Sequence, residues 1–160
     1  MSPKVFDEVN WAALDLALNA KPNMYNLWYG KQCSGWCATN YKLKQWKKTD
    51  NSRCPNCNKI NEKADHLNIC SNKDRTRLFD EHVNQIEEWM ESHFTDPELS
   101  CLVMRYLRSR SRGRFEGYGT PGHMRRLAQA QDAIGWRNFT EGKLTKSFRT
   151  IQQDHLEQEY

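Results

Sequence analysis

The chain has 160 residues, 38% of them apolar, with six each of Trp, Tyr and Phe, which predicts one folded core of modest size. The formal net charge of +4 is too small to make the whole molecule a polyelectrolyte, so an anionic partner has to be met by a local patch. No apolar run approaches the roughly 18 residues that span a bilayer, and the opening MSPKVFDEVNWAALDLAL lacks an uninterrupted apolar stretch and a small-residue cleavage site. The expectation is a cytoplasmic or nuclear protein that does not engage a membrane and keeps its six cysteines reduced.

From Asp7 to Lys21, Val9, Ala12, Ala13, Leu16, Ala17 and Ala20 share a stripe at helical spacing, closed by Pro22. Met24, Leu27 and Trp28 predict a short helix ending near Gly30. Thr39 is placed to cap a third, with Leu43 and Trp46 inward and Lys42, Lys44, Lys47 and Lys48 toward water. TDNSR then reads as a loop. The longest periodic stretch, Asp74 to Phe94, repeats Leu78, Phe79, Val83, Ile86, Trp89, Met90 and His93 at intervals of three and four.

Asp96 and Pro97 form a helix start, followed by the stripe Leu99, Leu102, Val103, Tyr106 and Leu107. SRSRGRFEGYGTPG has glycines and no period, and predicts a loop. Thr120 and Pro121 open the next helix, through Met124, Leu127, Ala128 and Gln131 to Ile134, with Gly135 as its stop. A last helix from Thr145 carries Phe148, Ile151, Gln152 and Leu156. No alternating run demands a sheet. The predicted fold is mainly α, a helical domain over residues 1–110 built around a Cys/His site at 54–70, with a basic Gly-rich loop and C-terminal helices at 111–160 packing on the same core.

The site is the segment CPNCNKINEKADHLNIC, residues 54 to 70. Cys54, Cys57, His66 and Cys70 supply three thiolates and one imidazole, a donor set suited to a closed tetrahedral Zn2+. The two-residue gap in CPNC lets one tight turn aim both sulfurs at a point. A helix starting near Glu62 and capped by Asn61 would set His66 and Cys70 one turn apart on one face. With every coordination position taken by protein, the ion is expected to be structural, one per chain, and the alternative is a set of free buried thiols. Cys33 and Cys37, in QCSGWC, have no other pair of ligands nearby and read as small core residues.

The order Cys-Cys-His-Cys, with Pro55 after the first cysteine, Glu62 before the histidine and Leu67 after it, resembles the zinc-binding segment that follows the polymerase in reverse transcriptases of non-LTR retroelements. In weaker form the resemblance extends upstream over Trp28, Lys31 and Trp46 and downstream over Arg75 through Trp89, about half the chain. It implies a role in binding element RNA or target DNA. A polymerase YxDD-type motif, an RNase H carboxylate set and a PD…D endonuclease signature are all missing, and TDPELS is a helix start. A detached or domesticated, non-catalytic portion is therefore expected.

Charge is unevenly spread. Asp80 to Ser100 holds seven acids and no Lys or Arg, whereas Arg105 to Arg126 holds seven arginines against one acid, Glu116. Arg105, Arg108, Arg110, Arg112, Arg114, Arg125 and Arg126, with Phe115 and Tyr118 as stacking faces, are the first candidates to track phosphates along a flexible loop. Lys42, Lys44, Lys47 and Lys48, joined by Arg53, are the second. Against this stands internal pairing of the arginines with the acidic helix. His82, His93, His123 and His155 are isolated, which argues against catalysis, and Trp11, Trp28, Trp36, Trp46, Trp89 and Trp136 are expected in the core. The leading expectation is a zinc-stabilised nucleic-acid-binding domain. The alternative is a zinc-stabilised module that binds another protein or a second copy of itself.

Overall fold

The computed structural model describes residues 1–159. It is mainly helical, with no strand among the described residues beyond an isolated antiparallel bridge between Val9 and Thr145. The elements are α1 (Pro3–Glu8), α2 (Trp11–Asn19), α3 (Asn23–Ser34), α4 (Asn40–Gln45), α5 (His66–Ile69), α6 (Lys73–Ser92), α7 (Pro97–Ser109), a 3-10 turn (Gly122–Met124), α8 (Arg125–Ile134), α9 (Trp136–Thr140) and α10 (Ser147–Glu159). No described helix is long and apolar enough to cross a membrane.

The chain divides into two compact units, one of residues 1–15 with 80–160 and one of Leu16–Phe79. Past residue 110, Phe115, Met124, Leu127, Ala128, Ile134 and Phe139 add to the buried apolar residues of the first unit. Two differently built cores replace the single core expected from composition.

The first unit is organised by α7. Asp96 caps it, its carboxylate accepting the Leu99 N–H at 2.7 Å, and Pro97 sits in the first turn, as the sequence predicts. Leu99, Leu102, Val103, Met104, Tyr106 and Leu107 are all buried, so α7 is covered over most of its circumference. α8 contributes Leu127, Ala128, Gln131 and Ile134. Phe115, fully buried, has ring centroids 4.6 Å from Tyr106, 5.5 Å from Phe139 and 5.9 Å from Phe148, an aromatic cluster of edge-on and tilted pairs.

The predicted helix from Asp7 to Lys21 is broken at Val9, whose extended backbone (φ −73°, ψ 137°) belongs to the bridge. Asn10 N–H donates to Leu144 O at 2.8 Å and Lys146 N–H to Glu8 O at 3.0 Å. Gln131 stitches the same place from α8, accepting the Thr145 N–H at 3.0 Å and donating to Lys143 O at 3.2 Å. Beyond the break, the expected stripe Ala12, Ala13, Leu16, Ala17 and Ala20 lies exposed, Leu16 at 71%.

The second unit has no such interior. In Leu16–Phe79 the buried described residues are Thr39, Cys54, Glu62, Ala64, His66 and Cys70. None is a large aliphatic or aromatic side chain. α3 runs through Gly30 to Ser34 and stops at Gly35, whose left-handed φ of 70° gives the helix its C-terminal turn. Trp28, Trp36 and Trp46, expected inside, are 51%, 61% and 37% exposed. Trp89, on the outer face of α6, is likewise exposed at 58%.

Candidate metal centre

The segment from Ser52 to Glu62 is a loop closed by backbone bonds. Glu62 N–H donates to Ser52 O at 2.9 Å, Cys54 N–H to Lys59 O at 2.8 Å, and Asn58 N–H to Cys54 O at 2.9 Å. The tight return requires left-handed backbone at Asn58 (φ 61°) and Asn61 (φ 60°), and asparagine is the non-glycine residue that tolerates it best. Asn61 is thus a turn residue rather than the helix cap predicted for it. No helix begins at Glu62, whose N–H instead closes the loop on Ser52. α5 is a single turn, opened by His66, whose N–H donates to Lys63 O at 3.0 Å. Cys70 follows with extended backbone (φ −60°, ψ 129°), still one turn from His66.

The four donor atoms of Cys54, Cys57, His66 and Cys70 lie within 4.8 Å of one another. Cys54 Sγ and Cys70 Sγ are 3.8 Å apart, and Cys57 Sγ is 3.3 Å from His66 Nε2. Two sulfurs bound at about 2.3 Å on a tetrahedral ion stand about 3.8 Å apart, so the spacing fits a metal of that preference. Burial fits as well: Cys54, Cys70 and His66 are 3%, 1% and 6% exposed, with the imidazole nitrogen turned to the sulfurs. Soft thiolates with one imidazole select a soft or borderline cation. With four protein donors the shell is complete, which suits a structural ion and leaves no position for substrate.

Two thiols of the cluster, Cys57 and Cys70, are poised differently. The Lys59 backbone N–H beside Cys57 brings its thiol down to about 6, while burial pushes Cys70 up to about 11. In the metal-free protein Cys70 therefore keeps its proton at neutral pH, and an incoming cation has to displace it. Metal affinity accordingly rises with pH through the neutral range.

The site reaches outward through Glu62. Its buried carboxylate accepts the Asn40 N–H at 3.0 Å, and its carbonyl accepts the Tyr41 N–H at 3.3 Å. Thr39 occupies the N-cap position of α4 as predicted, yet its hydroxyl caps nothing; the acid from the metal segment does so instead. Asn40 Nδ2 donates to Arg53 O at 2.6 Å, Gln32 Nε2 to Ala64 O at 3.4 Å, and Asn72 Nδ2 to Asn56 O at 3.2 Å. Helices α3 and α4 and the start of α6 are thus each tied to the metal segment. Cys33 and Cys37 stand outside the cluster, with Cys37 Sγ donating to Gln32 Oε1 at 3.2 Å.

The arginine run divides between internal partners and solvent. Arg105 is a brace: its guanidinium donates to the carbonyls of Phe115 and Tyr118 and, at 2.9 Å, to Thr120 Oγ1. Arg108 is paired with Glu87, which holds its guanidinium even more firmly protonated. Arg110 is buried, 8% exposed, and closes α7 with a left-handed φ of 48°. Arg125 stands 3.9 Å from Glu116. Arg112, Arg114 and Arg126 are exposed. The loop is not a free arm, because Phe115 is an internal anchor whose N–H donates to Asp132 at 2.7 Å; of its two aromatic rings, Tyr118 is the one open to solvent. Gly113 lies against α7, where an added Cβ would fall 2.8 Å from Ser109 Cβ.

The stretch QDAIGWRNFTEGK, which carries no readable motif, turns out to be the scaffold of the first unit. Gln131 and Asp132 hold the bridge and the loop, and buried Glu141 pairs with Lys143 and Arg137. Of the histidines, His123 faces Glu98 at 3.0 Å, His155 faces Asp96 at 3.7 Å, and His93 stacks on Trp89 with centroids 4.4 Å apart. By contrast Lys44, Lys47 and Lys48 are exposed as predicted, and Lys42 lies half-buried with its ammonium over the Trp36 ring.

Compared with known protein families, with curated proteins and with solved structures, the chain matches none.

Proposed function

We propose that the Leu16–Phe79 unit is a Zn2+-stabilised, non-catalytic nucleic-acid-binding module of retroelement derivation. The observation that carries this reading is the distribution of charge between the units. Leu16–Phe79 contains twelve Lys and Arg against four Asp and Glu, a formal +8, while the rest of the chain has twelve against sixteen, a formal −4. Zn2+ with three thiolates lowers the first figure by one. Of the four acids, Glu62 is buried in the cap of α4 and leaves the surface to the lysines. A chain of modest net charge thus concentrates a strongly cationic surface on the unit the metal holds together, and phosphate neutralisation is what such a surface does best. The resemblance carried by Cys54, Pro55, Cys57, Glu62, His66, Leu67 and Cys70 supports the same reading. The contact surface moves from the arginine loop to Lys42, Lys44, Lys47 and Lys48.

Elemental analysis with a polynucleotide titration over a range of salt tests it. One zinc per chain and an affinity falling steeply with salt are expected. Replacing Lys44, Lys47 and Lys48 together by Ala should lower the log–log salt slope by about 2–3, one phosphate contact per lysine, and Arg112→Ala with Arg114→Ala should leave it unchanged. Zinc without polynucleotide binding, together with a stable oligomer, would hand the function to protein interaction, for which Ile86 and Trp89 on α6, 40% and 58% exposed, supply a surface.

A further inference from the structure

Trp36 and Trp46 present an aromatic pair that the fold of their unit does not use. Their ring centroids are 5.7 Å apart and their planes 39° apart, with 61% and 37% of the two residues exposed. An indole covers some 150–250 Å² when buried, so two adjacent rings left in water are a large unused apolar surface. Both are held by helix ends rather than by a mobile arm. Trp36 follows the left-handed Gly35 and donates its N–H to Lys31 O at 2.8 Å; Trp46 ends α4, donating its N–H to Lys42 O at 2.9 Å.

The charges beside the pair have one sign. Lys42 Nζ lies 5.8 Å from the Trp36 centroid, and exposed Lys44, Lys47 and Lys48 belong to the same short segment as Trp46. We propose that Trp36 and Trp46 form a stacking platform for the bases of a single-stranded nucleic acid, with these lysines on the phosphates of the same strand. This rests on the reading of the unit as a nucleic-acid binder and names the form it takes. Flat aromatic faces beside ammonium groups match a strand whose bases are free to turn outward, and base-on-ring stacking adds affinity that salt does not screen. A duplex keeps its base faces stacked on one another and offers such rings nothing to cover. The rings are tilted rather than parallel, so a base lies on an outer face rather than between them. Because Glu62 caps α4, the register of the platform also depends on the metal segment.

The test uses the full-length, zinc-loaded protein with labelled oligo(dT), and with the oligo(dT)·oligo(dA) duplex of the same length. Single-strand affinity should exceed duplex affinity by about tenfold or more, and Trp36→Ala and Trp46→Ala should each weaken single-strand binding about tenfold with zinc content and salt slope unchanged. Trp36→Phe should restore most of the loss, which a folding defect would not permit. Equal affinity for the two forms, or alanine variants that bind the strand as tightly as the parent, would overturn the platform while leaving a phosphate-binding module in place. Absence of binding to either form would overturn both.

Discussion

The two units reach stability by opposite means. Residues 1–15 and 80–160 are held by an oily interior, where Phe115, Leu102, Met124 and Leu127 are at most 2% exposed and polar atoms such as those of Gln131 are paired within it. Leu16–Phe79 buries three ligands of its metal cluster, one alanine, one threonine and one glutamate, and leaves its tryptophans in water. A segment that size with no large apolar side chain inside lacks the usual compensation for chain entropy, and a bound ion is the natural substitute. Tyr106, Phe115 and Phe139 pack inside one unit, whereas Trp28, Trp36 and Trp46 lie exposed in the other.

The sharpest way to break this contrast is to remove the metal. Structural zinc in small peptides is worth about 10–16 kcal/mol, so Cys57→Ser, or chelation, should abolish amide protection across α3 to α5 while amides of α7 and α8 stay protected. Hydrogen exchange resolved by segment reads this directly, and undiminished protection in α3 to α5 would mean the unit does not need its ion. Next in size is the opposite lesion. Phe115→Ala empties the aromatic cluster and should cost about 3–5 kcal/mol in thermal or denaturant unfolding of the first unit, with the zinc stoichiometry unaltered.

A smaller effect separates structural from functional cations. Arg105→Ala leaves the Phe115 and Tyr118 carbonyls without their donor and should cost about 1–3 kcal/mol of stability, with no change in polynucleotide affinity. A drop in affinity at constant stability would return the arginine loop to the binding surface. Smallest is Glu62→Ala, which uncaps α4 at a cost of about 1 kcal/mol; because cap and cluster share one loop, competitive chelator titration should register it as about a fivefold weaker zinc affinity.

Legibility from sequence followed the range of the interactions. α6, α7 and the end of α8 were readable because a long stripe, an Asp-Pro start and a Gly stop act within a few residues, whereas α8 starts at Arg125, after a 3-10 turn, and not at the Thr120–Pro121 pair. The clustering of Cys54, Cys57, His66 and Cys70 was readable because their spacing is one that metal geometry favours. The break at Val9 was not, since it is imposed by Thr145 from the far end of the chain, and the hydroxyl of Thr39 gave way to the carboxylate of Glu62, far along the chain. The arginines were legible only as charge. Their number signals charge, but whether a guanidinium meets phosphate or the chain's own carbonyls depends on where Phe115 anchors the loop, and that is settled by the cavity Tyr106 and Phe139 form around it.

What the sequence by itself determined is the helical class, the grouping of Cys54, Cys57, His66 and Cys70 and the extent of the long helices, all products of local periodicity or short fixed spacing. Only the tertiary structure decided that the chain forms two compact units, that the basic excess falls on the unit carrying the Cys/His cluster and that Trp36 and Trp46 are exposed. Burial is a property of what lies opposite a side chain, and residues distant in sequence supply it.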